Sequence, residues 1–277
     1  MSVEQRTLTG STERNRFPLR SRITWIIAAA EALVIVLIAS SCGGSGTSSS
    51  SSSQGVTAAS TSSNSADVQA VTEHLNGGLY RFGPFGDKQP VTVVATGPDG
   101  WAGSPDWAMD GPEPTGSDAP NGIAVSLLTA EDGVFSDPCH WDWNDTGQPD
   151  VGDVKVGPSV DDLVASLRAN TYYTSTSAKP VKIDGFSGQE LELQMPGGSY
   201  AHCDKDDPSD PGGHVFPFAG GPGLYTQGPA NRWHLYILNV KGTRLIAVIL
   251  SYAKTAQKDV DLAQNVIQTM RIEQGSA

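Results

Sequence analysis

One apolar segment constrains this chain more than any other part of its sequence. It runs from Ile23 to Ser41, reads ITWIIAAAEALVIVLIASS and contains a single charged residue, Glu31. As a helix this segment would extend roughly 28 Å, about the thickness of the hydrocarbon layer of a bilayer. Five arginines and two glutamates precede it, and an excess of positive charge keeps a flanking segment in the cytoplasm. We therefore expect residues 1–22 to be a basic cytoplasmic leader and the chain beyond residue 41 to be extracytoplasmic.

Two interpretations of this segment remain open. The residues Ala39-Ser40-Ser41-Cys42 resemble the lipobox of bacterial lipoproteins, although Ala39 stands where that family prefers leucine. In this interpretation residues 23–41 are a signal peptide, cleavage precedes Cys42, and Cys42 carries the lipid. In the second interpretation residues 23–41 remain in the protein as one transmembrane helix, which their length and the 22-residue leader favour.

The composition after the apolar segment divides the remaining chain into a spacer and a folded part. Residues 42–65 are rich in Gly, Ser and Thr, with six consecutive serines from Ser48 to Ser53, and they contain too little apolar surface to fold. We expect them to form a disordered tether, followed by one extracytoplasmic globular domain over residues 66–277. The formal net charge of the chain is −12, and residues 66–277 contain no basic cluster, which argues against a nucleic-acid partner.

Hydrophobic periodicity and capping signals predict the secondary structure of the domain. The predicted helices are 66–75, one that begins after Ser159, and 256–270. The predicted strands are 91–95 and 123–128, the hairpin 181–183 with 189–195, and the hairpin 233–240 with 243–252, which should be covered on both faces. The stretches 97–122 and 196–230 are rich in Gly and Pro and are expected to be irregular. This order predicts an α+β fold, an antiparallel sheet with helices packed against it, in which a C-terminal β-hairpin is followed by a terminal helix.

Three segments of the C-terminal half resemble those of known exported proteins. They are VGPSVDDLVASL, VKIDGFSGQELEL and LYILNVKGTRLIAVILSYA, followed by the last predicted helix. Their layout is similar to that of exported actinobacterial proteins, and of mycobacterial lipoproteins of the LpqN type, which have the sheet-and-helix fold of the photosystem protein PsbP. The resemblance covers roughly residues 157–273. It implies a fold and a location in the cell envelope, but no activity.

The two cysteines of the domain, Cys139 and Cys203, are expected to form a disulfide bond, because an exported domain with two cysteines most often bridges them. An alternative uses their neighbours, since Cys139-His140 and His202-Cys203 together offer a Cys₂His₂ zinc set. Adjacent Cys-His pairs lack the usual spacing of zinc ligands, and this favours the disulfide.

The segment DWNDTGQPDVGD, residues 142–153, partly fits the template of a calcium-binding loop. Alternating oxygen-bearing side chains around a glycine suit a hard cation. The candidate ligands are Asp142, Asn144, Thr146, Gln148, Asp150 and Asp153. Pro149 and the short final Asp153 depart from the template, so an Asx-rich surface loop is the favoured interpretation. Apart from this calcium site, no cofactor is expected.

Aromatic residues in the irregular stretches are candidates for a binding surface, because long loops with aromatics often bind ligands. Alternatively, these side chains only pack the loops against the domain. The candidates are Trp101, Trp107, Trp141 and Trp143. The sequence shows no nucleophile elbow, phosphate loop or metal-ligand histidine pair, so no catalytic residue is predicted. The favoured hypothesis is a membrane-tethered binding domain of a bacterial cell envelope, with a glycan, lipid or protein partner. The alternatives are a cation-stabilised structural or sensor domain, and a hydrolase with an unrecognised site.

Overall fold

Strands dominate the described part of the chain, which contains twelve strands and two helices. The computed structural model describes residues 67–84, 91–104, 107–111, 122–129, 133–145, 147, 149, 151–205, 212–219 and 228–274. The strands form one sheet of four strands and one of eight, so the fold is mostly β. The predicted α+β class, an antiparallel sheet with helices packed against it, is therefore wrong.

The smaller sheet has the strand order β1-β2-β3-β12. Its strands are β1 Val68–Ala70, β2 Asn76–Phe82, β3 Val91–Asp99 and β12 Arg271–Gln274. The larger sheet has the order β4-β5-β6-β11-β10-β9-β7, and β8 also pairs with β9. Its strands are β4 Ala102–Ser104, β5 Ala108–Asp110, β6 Ile123–Leu128, β7 Thr174–Ser175, β8 Lys179–Ile183, β9 Phe186–Gln194, β10 Arg232–Val240 and β11 Thr243–Ser251. The helices are α1 Val160–Ala169 and α2 Gln257–Gln268.

Two regions expected to be helical or irregular contribute strands instead. The predicted helix over residues 66–75 is β1, which pairs in parallel with β2, followed by a bend. Val71 and Leu75 are four residues apart, which suggests a helix face, but a bent chain buries both equally well. In the predicted irregular stretch 97–122 lie the end of β3 and the strands β4 and β5. Glycine is required there at Gly97, because a Cβ atom would lie 2.5 Å from the ring of Tyr80.

The hairpin of β10 and β11 lies at the centre of the larger sheet and separates two hydrophobic cores. Its turn is Lys241-Gly242, with φ of 50° and 98°, the left-handed conformation that matches the twist of a hairpin. Tyr236 and Leu238 face the first core, which contains side chains of both sheets and of α2. Trp233 faces the second core, which contains side chains of α1 and of the long connecting segments. The prediction that both faces of this hairpin are covered is confirmed.

The two helices begin and end differently from one another. At α1, the hydroxyl of Ser159 accepts a hydrogen bond from the Asp162 backbone amide, and the Asp162 carboxylate accepts one from the Ser159 amide, so the N-terminus is capped in both directions. Helix α2 contacts β3, β6 and β11 and buries Val266 and Ile267. The chain does not end with this helix, because β12 follows it and pairs with β3 in the smaller sheet.

The second core positions the segments that carry the candidate site. Buried side chains from residues 134–139, from the C-terminal part of α1 and from residues 200–218 belong to it. Asn170, directly after α1, donates hydrogen bonds from its side chain to the carbonyl oxygens of Phe135 (2.9 Å) and Ser136 (3.3 Å). The end of α1 is therefore attached to the segment that precedes Cys139.

Candidate functional site

A disulfide bond joins Cys139 and Cys203, with their Cα atoms 4.6 Å apart, as the sequence predicts. Both residues are buried, with relative exposures of 1% and 4%. Backbone hydrogen bonds run beside the bond, from the Asp204 amide to the Cys139 carbonyl (2.8 Å) and from the Phe216 amide to the Pro138 carbonyl (3.0 Å). The disulfide therefore fastens together segments that the second core and the backbone already bring into contact.

The disulfide also brings two histidines together. His140 follows Cys139, and His202 precedes Cys203, so bonding the cysteines places both imidazoles on the same side of the protein. Both rings are exposed, and their centres lie 6.5 Å apart in an edge-to-face arrangement. The four residues of the alternative zinc set are thus close in space. However, the two sulfur atoms are bonded to each other and are not available as zinc ligands in this state.

A shallow pocket of about 230 Å³ lies beside these histidines. Its lining residues come from three segments: Ser136, Asp137, Cys139 and His140 from the first, Thr171 and Tyr172 from the end of α1, and His202 from the third. The Tyr172 amide donates to the side-chain oxygen of Asn170 (2.8 Å), and the Tyr172 hydroxyl lies 3.8 Å from the Cys203 sulfur. Sequence reasoning missed Asp137, Thr171 and Tyr172, because only the position of α1 brings the last two to the cysteines.

The Asp137 carboxylate organises the polar side of the pocket. Its Oδ1 accepts from the Cys139 amide (3.0 Å), and its Oδ2 lies 2.8 Å from Nδ1 of His140. Burial raises the pKa of Asp137, but the hydrogen bonds from His140 and Cys139 outweigh this effect and leave the pKa below its ordinary value. The hydrogen bond to Asp137 raises the pKa of His140, burial opposes this, and the Asp137 and Asp204 charges raise it further. Nδ1 of His140 is thus engaged, and Nε2 is the ring nitrogen left for a ligand.

The predicted aromatic binding residues are found in different environments. Trp101 and Trp141 are core side chains with exposures of 2% and 1%, and the Trp141 ring nitrogen donates to the His214 carbonyl (3.1 Å). Trp107 is half-buried against the second core. Trp143 is 56% exposed, and its ring nitrogen donates to the Val151 carbonyl (3.2 Å). The four tryptophans do not form one aromatic-lined groove, and only Trp143 offers most of its side chain to solvent.

The described contacts of the candidate calcium loop are those of a turn. Asp142 Oδ1 accepts from the Gly147 amide (2.8 Å), and the Asp153 carboxylate accepts from the amide (2.7 Å) and the hydroxyl of Ser136. Asn144 is exposed. Among the described residues, the groups of three metal-ligating side chains include neither Asp142 nor Asp153. Thr146, Gln148 and Asp150 lie outside the described residues, and calcium binding by this loop stays a prediction.

The predicted leader, apolar segment and spacer, with the candidate lipidation site Cys42, lie outside the described residues. Within the part of the chain that the structure describes, neither helix has the length and apolar character needed to cross a bilayer. The comparisons with known proteins add no relative: no protein family matches this sequence, and no curated protein is significantly similar to it. The function is therefore inferred from the residues of the pocket and from the sequence.

Proposed function

We propose that this chain is a membrane-tethered, extracytoplasmic binding domain of a bacterial cell envelope, and that the pocket beside the disulfide is its binding site. The membrane attachment is either the N-terminal apolar segment, retained as a helix, or a lipid on Cys42 after that segment has been cleaved. In this proposal the partner is a component of the envelope, and the protein acts by binding and not by catalysis. The resemblance of its C-terminal half to exported actinobacterial proteins agrees with this location.

The disulfide is the observation that best supports the proposed extracytoplasmic location. Structural disulfides persist in oxidising surroundings outside the cytoplasm and are rare inside it. Cys139 and Cys203 are buried and bonded, and the pairing agrees with the direction of export that the arginine-rich leader predicts. The arginine-rich leader and the disulfide are therefore two separate arguments for an extracytoplasmic domain.

The shape and composition of the pocket support binding of a small polar group. Pockets for drug-sized ligands usually measure about 300–1,000 Å³, and this one, at about 230 Å³, suits an ion or the terminal group of a larger envelope molecule. Ser136 is the lining hydroxyl closest in sequence to the Asp137–His140 pair, but its hydroxyl is hydrogen-bonded to Asp153. The His140 ring is hydrogen-bonded to Asp137, so Ser136 and His140 do not form the hydroxyl–imidazole pair of a nucleophilic site.

Two measurements on the full-length chain test the proposal. In the first, the protein carries a C-terminal epitope tag, and protease is added to intact and to lysed spheroplasts. We expect the protease to remove the tag in intact spheroplasts as well as in lysed ones. Protection of the tag in intact spheroplasts would contradict the extracytoplasmic location.

The second measurement is binding of the detergent-solubilised chain to arrays of envelope glycans and lipids and to envelope protein extract. We expect specific binding that His202→Ala removes and His74→Ala retains, because both histidines are exposed but only His202 lines the pocket. Binding that both variants retain would place the binding site elsewhere, and complete absence of specific binding would contradict the proposed function.

A further inference from the structure

We propose that the pocket binds one divalent transition-metal ion through the imidazole nitrogens of His140 and His202, in the oxidised protein with its disulfide intact. This inference rests on the proposed function, since it names the chemical class of ligand for the same pocket. It differs from the Cys₂His₂ zinc hypothesis because the two sulfur atoms take no part. The remaining coordination positions would be filled by water or by a donor group of the envelope ligand.

His140 has the arrangement that is common for metal-binding histidines. Its Nδ1 lies 2.8 Å from the Asp137 carboxylate, which fixes the orientation of the ring and makes Nδ1 the protonated nitrogen of the neutral form. Nε2 then carries the lone pair that a metal ion requires. The carboxylate is itself held in place by the Cys139 amide (3.0 Å), so the orientation of this ring is built into the segment that the disulfide fastens.

His202 lies at a distance that a shared metal ion can bridge. With metal–nitrogen bonds of about 2.0–2.1 Å, two imidazoles on one tetrahedral ion have ring centres about 5 Å apart, and the observed separation is 6.5 Å. His202 is exposed, so rotation of the His202 side chain can close the difference while His140 keeps its hydrogen bond to Asp137. The disulfide keeps Cys139 and Cys203 close together, and with them the neighbouring histidines, which lowers the entropy cost of bringing both imidazoles to one ion.

The charge around the pocket favours a cation over an anion. Asp137 lines the pocket, and the Asp204 carboxylate is close enough to act electrostatically on His140. The residues that line the pocket include no lysine or arginine, and the whole chain carries a formal net charge of −12. A phosphate or carboxylate ligand would meet repulsion here, whereas a divalent cation would be attracted. Imidazole nitrogens then select zinc, copper or nickel over calcium and magnesium.

The experiment is calorimetric titration of the untagged full-length chain with Zn²⁺, without reductant, and competition with a zinc-sensitive dye. We expect one ion per chain. His140→Ala and His202→Ala should each weaken binding at least about tenfold, and Asp137→Asn, which removes the carboxylate behind the ligand, by about 10- to 100-fold. His74→Ala is the matched control and should bind as the wild type does.

Three results would overturn the metal site: no zinc binding by the oxidised chain, equal loss in the His74→Ala control, or binding that appears only after reduction of the disulfide. Because envelope-ligand binding is measured separately, both with and without a chelator, the two proposals can fail independently. Envelope binding that His202→Ala removes, together with no zinc binding, would reject the metal site and leave the binding domain in place. Zinc binding without any envelope ligand would support the metal site and reject the proposed function.

Discussion

Removing the disulfide should destabilise the protein by a predictable amount. Cys139 and Cys203 are 64 residues apart in the sequence, and closing a loop of this length in the unfolded chain corresponds to about 4 kcal/mol in the chain-entropy description. Since 1 kcal/mol lowers the melting temperature of a domain of this size by about 2–4 °C, the double variant Cys139→Ala/Cys203→Ala should melt about 8–16 °C below the wild type. Both sulfurs are buried, so the cavities left by alanine add to the loss.

The assay is thermal and urea unfolding of the full-length chain, followed by circular dichroism. The double variant should also show a larger dependence of unfolding free energy on urea, because its unfolded chain is less compact. Reductant should lower the melting temperature of the wild type and leave that of the double variant unchanged. Cys42→Ala is the control for the third cysteine. An unchanged melting temperature in the double variant, or an equal response of both proteins to reductant, would refute the reasoning.

Four further predictions follow from single residues. Arg244 is buried and donates from Nη1 to two carbonyl oxygens that precede α1 (2.7 and 3.2 Å), so Arg244→Ala should reduce the unfolding free energy by about 1.5–3 kcal/mol in urea unfolding, whereas a change below experimental error would contradict this role. Burial raises the pKa of Asp110, so the folded state holds its proton more tightly than the unfolded state and stability is lost as pH rises above the ordinary aspartate pKa. Asp110→Asn should therefore melt higher than the wild type at neutral pH but not at pH values where the carboxyl is protonated, and a gain of the same size at every pH would rule out titration as the cause. In the lipoprotein interpretation, Cys42→Ala leaves a larger, unprocessed chain in the membrane fraction, whereas a wild-type mass matching the intact sequence favours the transmembrane helix. For the loop at Asp142, whose carboxylate already caps a backbone amide, we expect equal melting temperatures in millimolar calcium and in chelator; a rise in calcium that Asp142→Ala abolishes would establish the calcium site.

The features that the sequence predicted correctly are those with local signals. A hydroxyl at Ser159 followed three residues later by an acidic side chain predicts the capped start of α1, and the structure has this cap. The turn Lys241-Gly242 lies between two apolar runs, and it predicts the central hairpin of the larger sheet. Both signals act within a few residues, so they can be recognised before the rest of the fold is known.

The predictions that failed depend on pairing between distant segments. Short strands such as β4 and β5 have little local preference; β5 becomes a strand because β6 offers hydrogen-bonding partners, and β5 in turn offers them to β4. The last helix was predicted to end at Met270 with no strand after it, but Ile272 lies in β12 and pairs with β3, which lies far away in the sequence. Its amide also donates to the Asp184 carboxylate (2.6 Å). Each such pairing converts an expected loop or helix end into a strand, which is why the fold is mostly β.

The candidate site was only half visible in the sequence for the same reason. The cysteines and their adjacent histidines were recognised as a group, because residue type alone marks them. The residue type of Tyr172 does not indicate a site, since its hydroxyl lies near the Cys203 sulfur only because α1 packs on the second core. For the tryptophans, aromatic content in loops is compatible with a binding surface or with packing, and Trp101 and Trp141 are buried in the core.

The order of residues around the two cysteines links the stability of the protein to the proposed site. One histidine follows Cys139 and the other precedes Cys203, and in the disulfide-bonded structure the centres of the two imidazole rings lie 6.5 Å apart. The disulfide stabilises mainly by restricting the unfolded chain, whereas the positions of the pocket residues in the folded state are also fixed by hydrogen bonds that do not involve sulfur. Loss of the disulfide should therefore lower the fraction of molecules that are folded, while the molecules that remain folded keep the hydrogen bonds around the pocket. The same covalent link that stabilises the domain against unfolding thus keeps close together the two histidines proposed as metal ligands, and a local hydrogen bond to Asp137 sets the orientation of His140.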